Sequence, residues 1–269
     1  MLVNVARRRR RGRDRRRFRH RLRHRIDHCV HCIPRLLCAH RANAYASDRY
    51  DTTRQKVTAQ KGTDLGVFRY YEPRDGHDLA HDPLNAIVAP RPIGWISSLS
   101  ADGVRNLAPY SFFNLFNYVP PIIGFCSIGP KDSIANIEAT GEFVWNLVSR
   151  DLAEAMNASS ASVPPDVDEF AVAGLEAAPS RIIAAPRVAA SPVQFECRHS
   201  QTLQLTSAAG EALPAWLVLG EVVGVHIAEA VIVDGSFSTI AADPVLRGGG
   251  WGDYFTVSAE ARFRMKRPG

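Results

Sequence analysis

The sequence lacks any apolar run long enough to cross a bilayer, and it lacks the glycine-rich loops that bind most nucleotides. No uninterrupted apolar stretch approaches the roughly 20 residues that a transmembrane helix needs. There is no G-x-G-x-x-G motif after a predicted strand, no Walker lysine motif and no G-x-S-x-G nucleophile elbow. We therefore expect no membrane segment and none of the usual dinucleotide, triphosphate or serine-hydrolase sites.

Cysteine is scarce in the part of the chain that looks globular. Of five cysteines, only Cys126 and Cys197 lie beyond residue 60. Both lie in apolar strand-like runs, GFCSI and QFECR, which predicts two small buried side chains rather than a disulfide framework. This use of cysteine is typical of a reducing compartment, so we expect a cytoplasmic protein.

Acidic residues are almost absent from the first 26 residues, which contain thirteen Arg and one Asp. This segment carries a charge of +12, whereas the rest of the chain has 20 basic against 26 acidic groups, or −6. A low-complexity Arg tract has too little apolar surface to bury a core. We expect residues 1–60 to be an Arg-rich disordered extension and linker, for which translation from an upstream start codon is the favoured explanation.

Two alternatives remain for this extension. Its arginines can bind nucleic acid by displacing counterions from phosphates, although we expect no nucleic-acid partner for the protein as a whole. Cys29, Cys32, Cys38 and His40 offer four zinc ligands. The two pairs are only five residues apart, however, and no strand or helix pattern supports them, so we expect no metal site.

The stretch from Pro90 to Ser133 organises the remaining chain, residues 61–269. Its strands are predicted at 93–99, 106–113 and 122–128, and a hairpin turn at Ala101-Asp102-Gly103 joins the first two. A helix is predicted to begin at Lys131-Asp132-Ser133 and to end near Gly141. Pro90 and Pro92 cannot donate to a ladder and therefore predict a sheet edge.

Further strands in the sequence are short and suited to antiparallel pairing. They are predicted at 142–149, 193–198, 203–206, 216–227 and 254–257, and the sheet is expected to begin at 84–88. The segment 216–227 contains two glycines, where a barrel strand can bend or bulge. Many short strands with only two or three helices predict a mainly β protein, an antiparallel barrel with short helical insertions.

Hydroxyl, amide and ammonium groups are concentrated on the organising stretch. The polar side chains that can hold an anion or a ring edge are Ser97, Ser98, Asn106, Ser111, Lys131 and Ser133. The last two stand at a helix start, where free backbone N–H groups favour an anion. Trp95 and the nearby phenylalanines offer flat apolar surfaces. These residues predict a cradle for a phosphorylated, flat cofactor.

The same stretch and the segments that follow it resemble the flavin reductase-like, FMN-binding split-barrel family. The matching segments are PRPIGWISSLSADGVRNLAPYSFFN, KDSIANI, GEFVWNL, AMNASS, VDEF, PRVAASPVQFEC and LGEVVGVHI. They look closest to the branch named after the flavin reductase component of nitrilotriacetate monooxygenase. The resemblance covers residues 65–268 and implies a six-stranded antiparallel split β-barrel of Greek-key type, usually a homodimer.

The resemblance also implies a cofactor and the residues around it. FMN is expected in a groove near the subunit interface. The residues expected around its ring and ribityl chain are Trp95, Ile96, Ser97, Ser98, Asn106, Ala108 and Ser111. Lys131 and Ser133 match the positions that bind the phosphate. Arg247, in LRGGGWGDYF, resembles a C-terminal Arg-Gly segment of the family, although the glycine run departs from it.

The implied function is that of an NAD(P)H:flavin reductase-like oxidoreductase. Hydride passes from NADH or NADPH to FMN, and electrons pass on to a second flavin, an oxygenase partner or an organic acceptor. We assign no catalytic acid, and His226 is a weak candidate for contacting the nicotinamide. The alternative is an FMN-carrying electron-transfer protein that does not oxidise NAD(P)H efficiently.

Overall fold

The computed structural model describes residues 66–269, which are organised around one large antiparallel sheet. Predictions about the Arg-rich segment and its cysteine and histidine pairs fall outside the described residues. The strands are β1 (Arg91–Pro92), β2 (Gly94–Leu99), β3 (Arg105–Tyr110), β4 (Phe113–Tyr118), β5 (Pro121–Ile128), β6 (Glu142–Asn146), β7 (Ala177–Ala178), β8 (Arg187–Val188), β9 (Val193–Thr206), β10 (Ala212–Ile227), β11 (Ile232–Val233), β12 (Ser236–Phe237), β13 (Leu246–Gly249) and β14 (Asp253–Phe255). The α-helices are α1 (Leu84–Ile87), α2 (Asp132–Thr140), α3 (Ala153–Ala158), α4 (Glu169–Val172) and α5 (Thr239–Ala242).

The large sheet has the strand order β3-β2-β6-β9-β10-β5-β4, and every neighbouring pair is antiparallel. The predicted mainly β fold with short helical insertions is confirmed. The sheet has seven strands where six were expected, because the chain bends at Ser111 and Phe112 and then forms β4. This strand pairs with β5 at the sheet edge, and its side chains are mostly exposed, so its pattern lacks the alternation of a half-buried strand.

The hairpin turn and the helix predicted within and after the organising stretch are both confirmed. The turn between β2 and β3 places Gly103 at φ +86°, and it is closed by a 2.8 Å hydrogen bond from the Ser100 amide to the Val104 carbonyl. Helix α2 begins after Lys131 and ends at Gly141, which takes φ +74° and donates its amide to the Ile137 carbonyl. Gly141 thus caps the helix in the left-handed conformation that glycine tolerates best.

The prediction that the sheet begins at 84–88 is wrong, since this segment forms α1. The Asp82 carboxylate accepts the Leu84 amide at 2.9 Å, and the Pro83 carbonyl accepts the amides of Ala86 and Ile87. These local hydrogen bonds close a helical turn where the apolar run predicted a strand. The chain first enters a sheet at β1, which pairs with β13 and lies at the edge of a three-stranded sheet, β1-β13-β14. The edge position predicted from the two prolines is confirmed.

Two long strands form the middle of the large sheet. The segments 193–198 and 203–206, predicted as separate strands, join into β9. Strand β10 pairs with β9 along most of its length, with register shifts at Gly220 and Gly224. A Cβ at Gly220 would lie 2.4 Å from the ring of Phe143, so the close approach of β10 to the core requires glycine there. The predicted irregularities at the two glycines are confirmed.

Strand β2 is buried on both faces. Its Ile96 packs into a cluster with Phe125, Phe143 and the apolar face of α2, whereas Trp95 packs into a second cluster with Phe170. Successive side chains of a strand point to opposite faces, so Ser97 and Ser98 also lie in the interior. Within residues 66–269, no helix combines the length and the apolar character needed to cross a bilayer.

Both cysteines among the described residues are free. Cys197 is fully buried and Cys126 is partly buried. Burial raises the pKa of the Cys197 thiol, so this side chain behaves as a small apolar residue rather than as a reactive thiolate. The predicted absence of a disulfide framework holds for this part of the chain.

Candidate functional site

A cleft of about 380 Å³ lies where β3 meets the start of α2 and the loop that follows α3. Four predicted site residues line it, namely Asn106, Ala108, Lys131 and Ser133. Lys131 is the residue that precedes α2, and its side chain is exposed. The first N–H groups of a helix have no intrahelical partner, and the helix dipole makes this end positive. The cleft therefore ends in a site suited to an anion.

The Asn106 side chain is held in one orientation by hydrogen bonds within the protein. Its Oδ1 accepts from the Ser133 hydroxyl at 2.8 Å and from the Ser98 hydroxyl at 3.3 Å, and its Nδ2 donates to Glu169 at 2.9 Å. Both ends of the amide are thus engaged. Asn106 fixes the wall of the cleft and connects β2, β3, α2 and α4, while its predicted contact with a cofactor ring stays a prediction.

Glu169 is a cleft residue to which sequence analysis gave no role. Its carboxylate is almost fully buried and also accepts the backbone N–H of Leu107 at 3.2 Å. Burial raises the pKa of this carboxyl, and the hydrogen bonds from Leu107 and Asn106 oppose the rise. The segment VDEF gave the only sequence signal, but Asn106 and Glu169 are 63 positions apart in the sequence, so their contact could not be inferred from it.

A smaller cleft of about 190 Å³ continues from the first one. It is lined by Ile93, Pro109, Ser111, Met156, Ser160, Arg247 and Tyr254. Pro109 and Ser160 line both clefts, so the two form one groove along the outer side of β3. Ser111 therefore lies further along the groove that begins at Lys131, and its contact with a cofactor ring stays a prediction.

The remaining predicted site residues lie beneath the groove and line neither cleft. Trp95, Ile96, Ser97 and Ser98 are fully buried in β2. The Ser97 hydroxyl donates to the Pro186 carbonyl at 2.5 Å, and the Trp95 indole N–H donates to the Ser159 hydroxyl at 3.0 Å. These side chains support the groove floor, and their direct contact with a flavin stays a prediction.

The loop after α3 supplies hydroxyls to the cleft that were not predicted as site residues. Ser159, Ser160 and Ser162 all line it. Ser159 is buried, accepts from Trp95 and donates to the Met156 carbonyl at 2.8 Å. The run of hydroxyls at 159–162 is the sequence signal for this part of the cleft.

His226 lies outside the groove. Its Nε2 is 2.5 Å from Oε1 of the buried Glu196, and it lines neither cleft. Within residues 66–269, no three His, Cys, Asp or Glu side chains are grouped as metal ligands would be.

The Tyr110 hydroxyl is buried in the wall of the cleft, and no residue from 66 to 269 forms a hydrogen bond with it. Burial raises the pKa of this phenol. The nearby hydroxyls of Ser127 and Ser133 donate to the Gly129 carbonyl and to Asn106 Oδ1, so neither donates to the phenol. An unpaired buried hydroxyl costs about 1–3 kcal/mol. It is a polar atom that a bound molecule can satisfy.

Tyr110→Phe is expected to stabilise the flavin-free protein by about 1 kcal/mol, because it removes an unpaired buried hydroxyl. The raised phenol pKa means that the wild type also loses stability as the pH rises through about 10 toward the folded pKa, a loss that the variant avoids. Urea unfolding at neutral and alkaline pH measures both effects. Tyr70→Phe, at a highly exposed tyrosine, is the control, and a Tyr110→Phe variant less stable than the wild type would contradict the unpaired hydroxyl.

Comparison with known proteins connects this geometry to a family. The sequence profile described as "Flavin reductase like domain" matches residues 88–241, more than half of the chain. This chain belongs to the flavin reductase-like family. A protein of Deinococcus radiodurans, described as uncharacterized, is 38% identical over 183 residues, or 64% of this chain and 78% of that protein.

Two solved structures of similar proteins extend the comparison. Nitrilotriacetate monooxygenase component B from Bacillus cereus is 26% identical with a TM-score of 0.68, covering 74% of this chain and 100% of that one. The Pseudomonas fluorescens 2-nitrobenzoate 2-nitroreductase NbaA is 28% identical with a TM-score of 0.60, covering 69% and 88%. The predicted family is confirmed, and the family implies a flavin as the class of cofactor.

Proposed function

We propose that this flavin reductase-like protein is an FMN-dependent oxidoreductase that takes hydride from a nicotinamide nucleotide. The observation that carries the proposal is the groove along β3. It begins at the positive end of α2 beside Lys131 and Ser133, and it continues past Ala108 to Ser111. FMN has a charged phosphate at one end and a flat ring at the other, which matches the order of groups along this groove.

The donor set of the groove fits FMN. Lys131 takes part in no ion pair among residues 66–269, so its ammonium group is available to a phosphate. Ser133 and the first amides of α2 lie at the same end. The two clefts, of about 380 and 190 Å³, fall within the range of about 300–1000 Å³ typical of small-molecule sites when taken as one groove. The unpaired Tyr110 hydroxyl offers one further polar contact.

In this proposal the residues act by binding and positioning. Lys131 and the backbone N–H of Ser133 hold the phosphate, since the Ser133 hydroxyl already donates to Asn106, and Ala108 and Ser111 flank the rest of the cofactor. The buried set Trp95, Ile96, Ser97, Ser98 and Asn106 holds the wall and floor of the groove in place. Bound FMN supplies the hydride acceptor and the route for electrons, so no residue needs to be a catalytic acid, and we assign none.

We further propose a homodimer and a redox partner. Strand β4 ends the large sheet and exposes Leu115, Phe116 and Tyr118, whose exposed fractions are 42%, 55% and 82%. An apolar sheet edge of this kind is a liability unless another chain covers it, and a second copy is the occupant that we propose.

One similar protein is named as a component of a monooxygenase, which supports an oxygenase partner, and an organic acceptor is the other option. A cytoplasmic location stays a prediction.

The test is anaerobic titration of the full chain after loading with FMN. We expect a yellow complex with about one FMN per chain, which NADH or NADPH bleaches at a rate that keeps up with turnover. Failure to bind FMN at all would overturn the proposal. Binding of FMN with reduction far slower than turnover, measured by stopped flow, would favour the alternative, an FMN-carrying electron-transfer protein.

A further inference from the structure

A second cleft, which we call the arginine cleft, adjoins the groove at the end away from Lys131. Its volume is about 620 Å³. The charged and aromatic residues that matter in its lining are Arg150, Arg247, Glu154, Trp251 and Tyr254. Arg247 and Tyr254 also line the smaller cleft of the groove, the one of about 190 Å³ that contains Ser111. A molecule in the arginine cleft would therefore lie next to the far end of a molecule in the groove.

The positive charge at this junction lacks a carboxylate partner. No ion pair among residues 66–269 involves Arg150, Arg247 or Arg91. Arg91 lies behind the groove, is 9% exposed, and donates to three backbone carbonyl groups, which leave its charge uncompensated. Arg91 and Arg247 are direct partners in the pairing of β1 with β13, so the two cationic side chains lie close together. Burial and then the charge of Arg247 lower the pKa of Arg91. Glu154, the acidic lining residue, is exposed. Cations held together in this way favour an anion between them.

The aromatic residues of the cleft are held in place although they are exposed. The Arg247 guanidinium carbon lies 4.8 Å from the centroid of the Tyr254 ring. Trp251 is 87% exposed, yet its indole N–H donates to Nε2 of His81 at 2.5 Å, and the two rings pack edge to face. Orienting an indole without burying it leaves a large flat surface toward solvent, which is a feature of ligand and interaction sites.

We propose that the arginine cleft binds the second substrate and selects planar aromatic molecules that carry an anionic group. The anion would lie at Arg247 and Arg150, and the ring against Trp251 and Tyr254. This inference rests on the proposed function, because it takes the adjoining groove as the FMN site. A nucleotide phosphate and an aromatic carboxylate share this chemistry, and the test separates them.

The test titrates four probes into the FMN-loaded full chain by calorimetry: benzoate with its neutral partner benzyl alcohol, and ADP with adenosine. At least one anion should bind about tenfold or more tightly than its neutral partner, since a hydrogen bond to a charged group is worth that much. The pair that shows the preference identifies the source of the anion. Arg247→Ala should abolish the preference, and Arg150→Ala should reduce it. Arg198→Ala, at a half-exposed arginine on β9, should leave it unchanged.

Two results would overturn the inference. One is equal binding of anionic and neutral probes by the wild type. The other is a loss of FMN affinity in Arg247→Ala as large as in Lys131→Ala, since Arg247 would then belong to the flavin site. The probes are also titrated into the flavin-free chain. Failure of FMN to bind would count against the proposed function. An anion preference that depends on Arg247 would still be measured in the flavin-free chain and would support the arginine cleft.

Discussion

Replacing Glu196 with alanine is expected to lower the free energy of unfolding by about 3–5 kcal/mol, because each buried donor left without its acceptor costs roughly 1–3 kcal/mol. Glu196 is fully buried in β9 and forms four hydrogen bonds. Its carboxylate accepts the backbone N–H groups of Arg181 and Ile182, both at 2.7 Å, the Ile183 amide at 3.3 Å, and Nε2 of His226 at 2.5 Å. Alanine would leave these donors unpaired and a cavity in their midst.

The effect of Glu196 depends on pH in a direction that the structure fixes. Burial alone would raise the pKa of this carboxyl, but the amides of Arg181 and Ile182 and the His226 ring outweigh it, so the pKa is lowered. A lowered carboxyl pKa contributes stability above its ordinary value of about 4.3 and loses that contribution as the pH falls through the folded value. Urea unfolding should therefore show a large gap between wild type and variant at pH 7 that narrows in acid.

Two further variants test this explanation. Glu196→Gln keeps the volume but offers a single acceptor oxygen, so it should be intermediate in stability and should flatten the acid dependence. Glu138→Ala, at an exposed residue of α2, should change stability by less than about 0.5 kcal/mol. A Glu196→Gln variant as stable as the wild type at every pH would contradict a role for the charge.

Glu196 also connects a distant loop to the floor of the groove. The loop that it holds continues to Ala184, whose amide donates to Glu142 at 2.7 Å, and then to Pro186, whose carbonyl accepts the Ser97 hydroxyl. This chain of contacts links β9 and β6 to β2. Loss of Glu196 is therefore expected to weaken FMN binding as well as stability, although no atom of Glu196 lines the groove.

The sequence was sufficient to predict local structure where a single residue type determines the backbone conformation. Gly103 and Gly141 take positive φ, and Gly220 and Gly224 mark register shifts in β10. At Gly103 and Gly141 the backbone conformation alone favours glycine, so these positions can be found without tertiary information. At Gly220 the requirement comes from the Phe143 ring, and the sequence indicated only that the strand could be irregular there.

The sequence could not show which way the serines of β2 face. The concentration of hydroxyls on the β2–β3 hairpin and the family resemblance place Ser97 and Ser98 beside a cofactor, and that contact stays a prediction. In the structure β2 lies between β3 and β6 with core clusters on both sides, and the two hydroxyls bond to Pro186 and Asn106. Burial on both faces removes the alternation of apolar and polar residues from which an orientation can be inferred.

Replacing Lys131 with alanine is expected to raise the Kd for FMN about tenfold while leaving the Kd for riboflavin nearly unchanged. Riboflavin has the same ring and ribityl chain without the phosphate, so it isolates the contact to the charged tail. Lys131 Nζ lies 5.8 Å from the Tyr110 ring centroid, at the end of the groove where α2 begins. A charge-assisted hydrogen bond contributes roughly 1.5–3 kcal/mol, and solvent exposure places Lys131 at the lower end of that range.

Fluorescence quenching of each flavin by the full chain measures both constants. Lys266→Ala, at an exposed lysine near the C-terminal end, removes the same charge at a distance in sequence and should affect neither ligand. The added charge of the phosphate predicts that salt weakens FMN binding in the wild type more than in Lys131→Ala, because screening acts on the contact that the variant lacks. Equal weakening of FMN and riboflavin by Lys131→Ala would instead show that the lysine supports the cleft wall, and the phosphate would then have to lie elsewhere along β3.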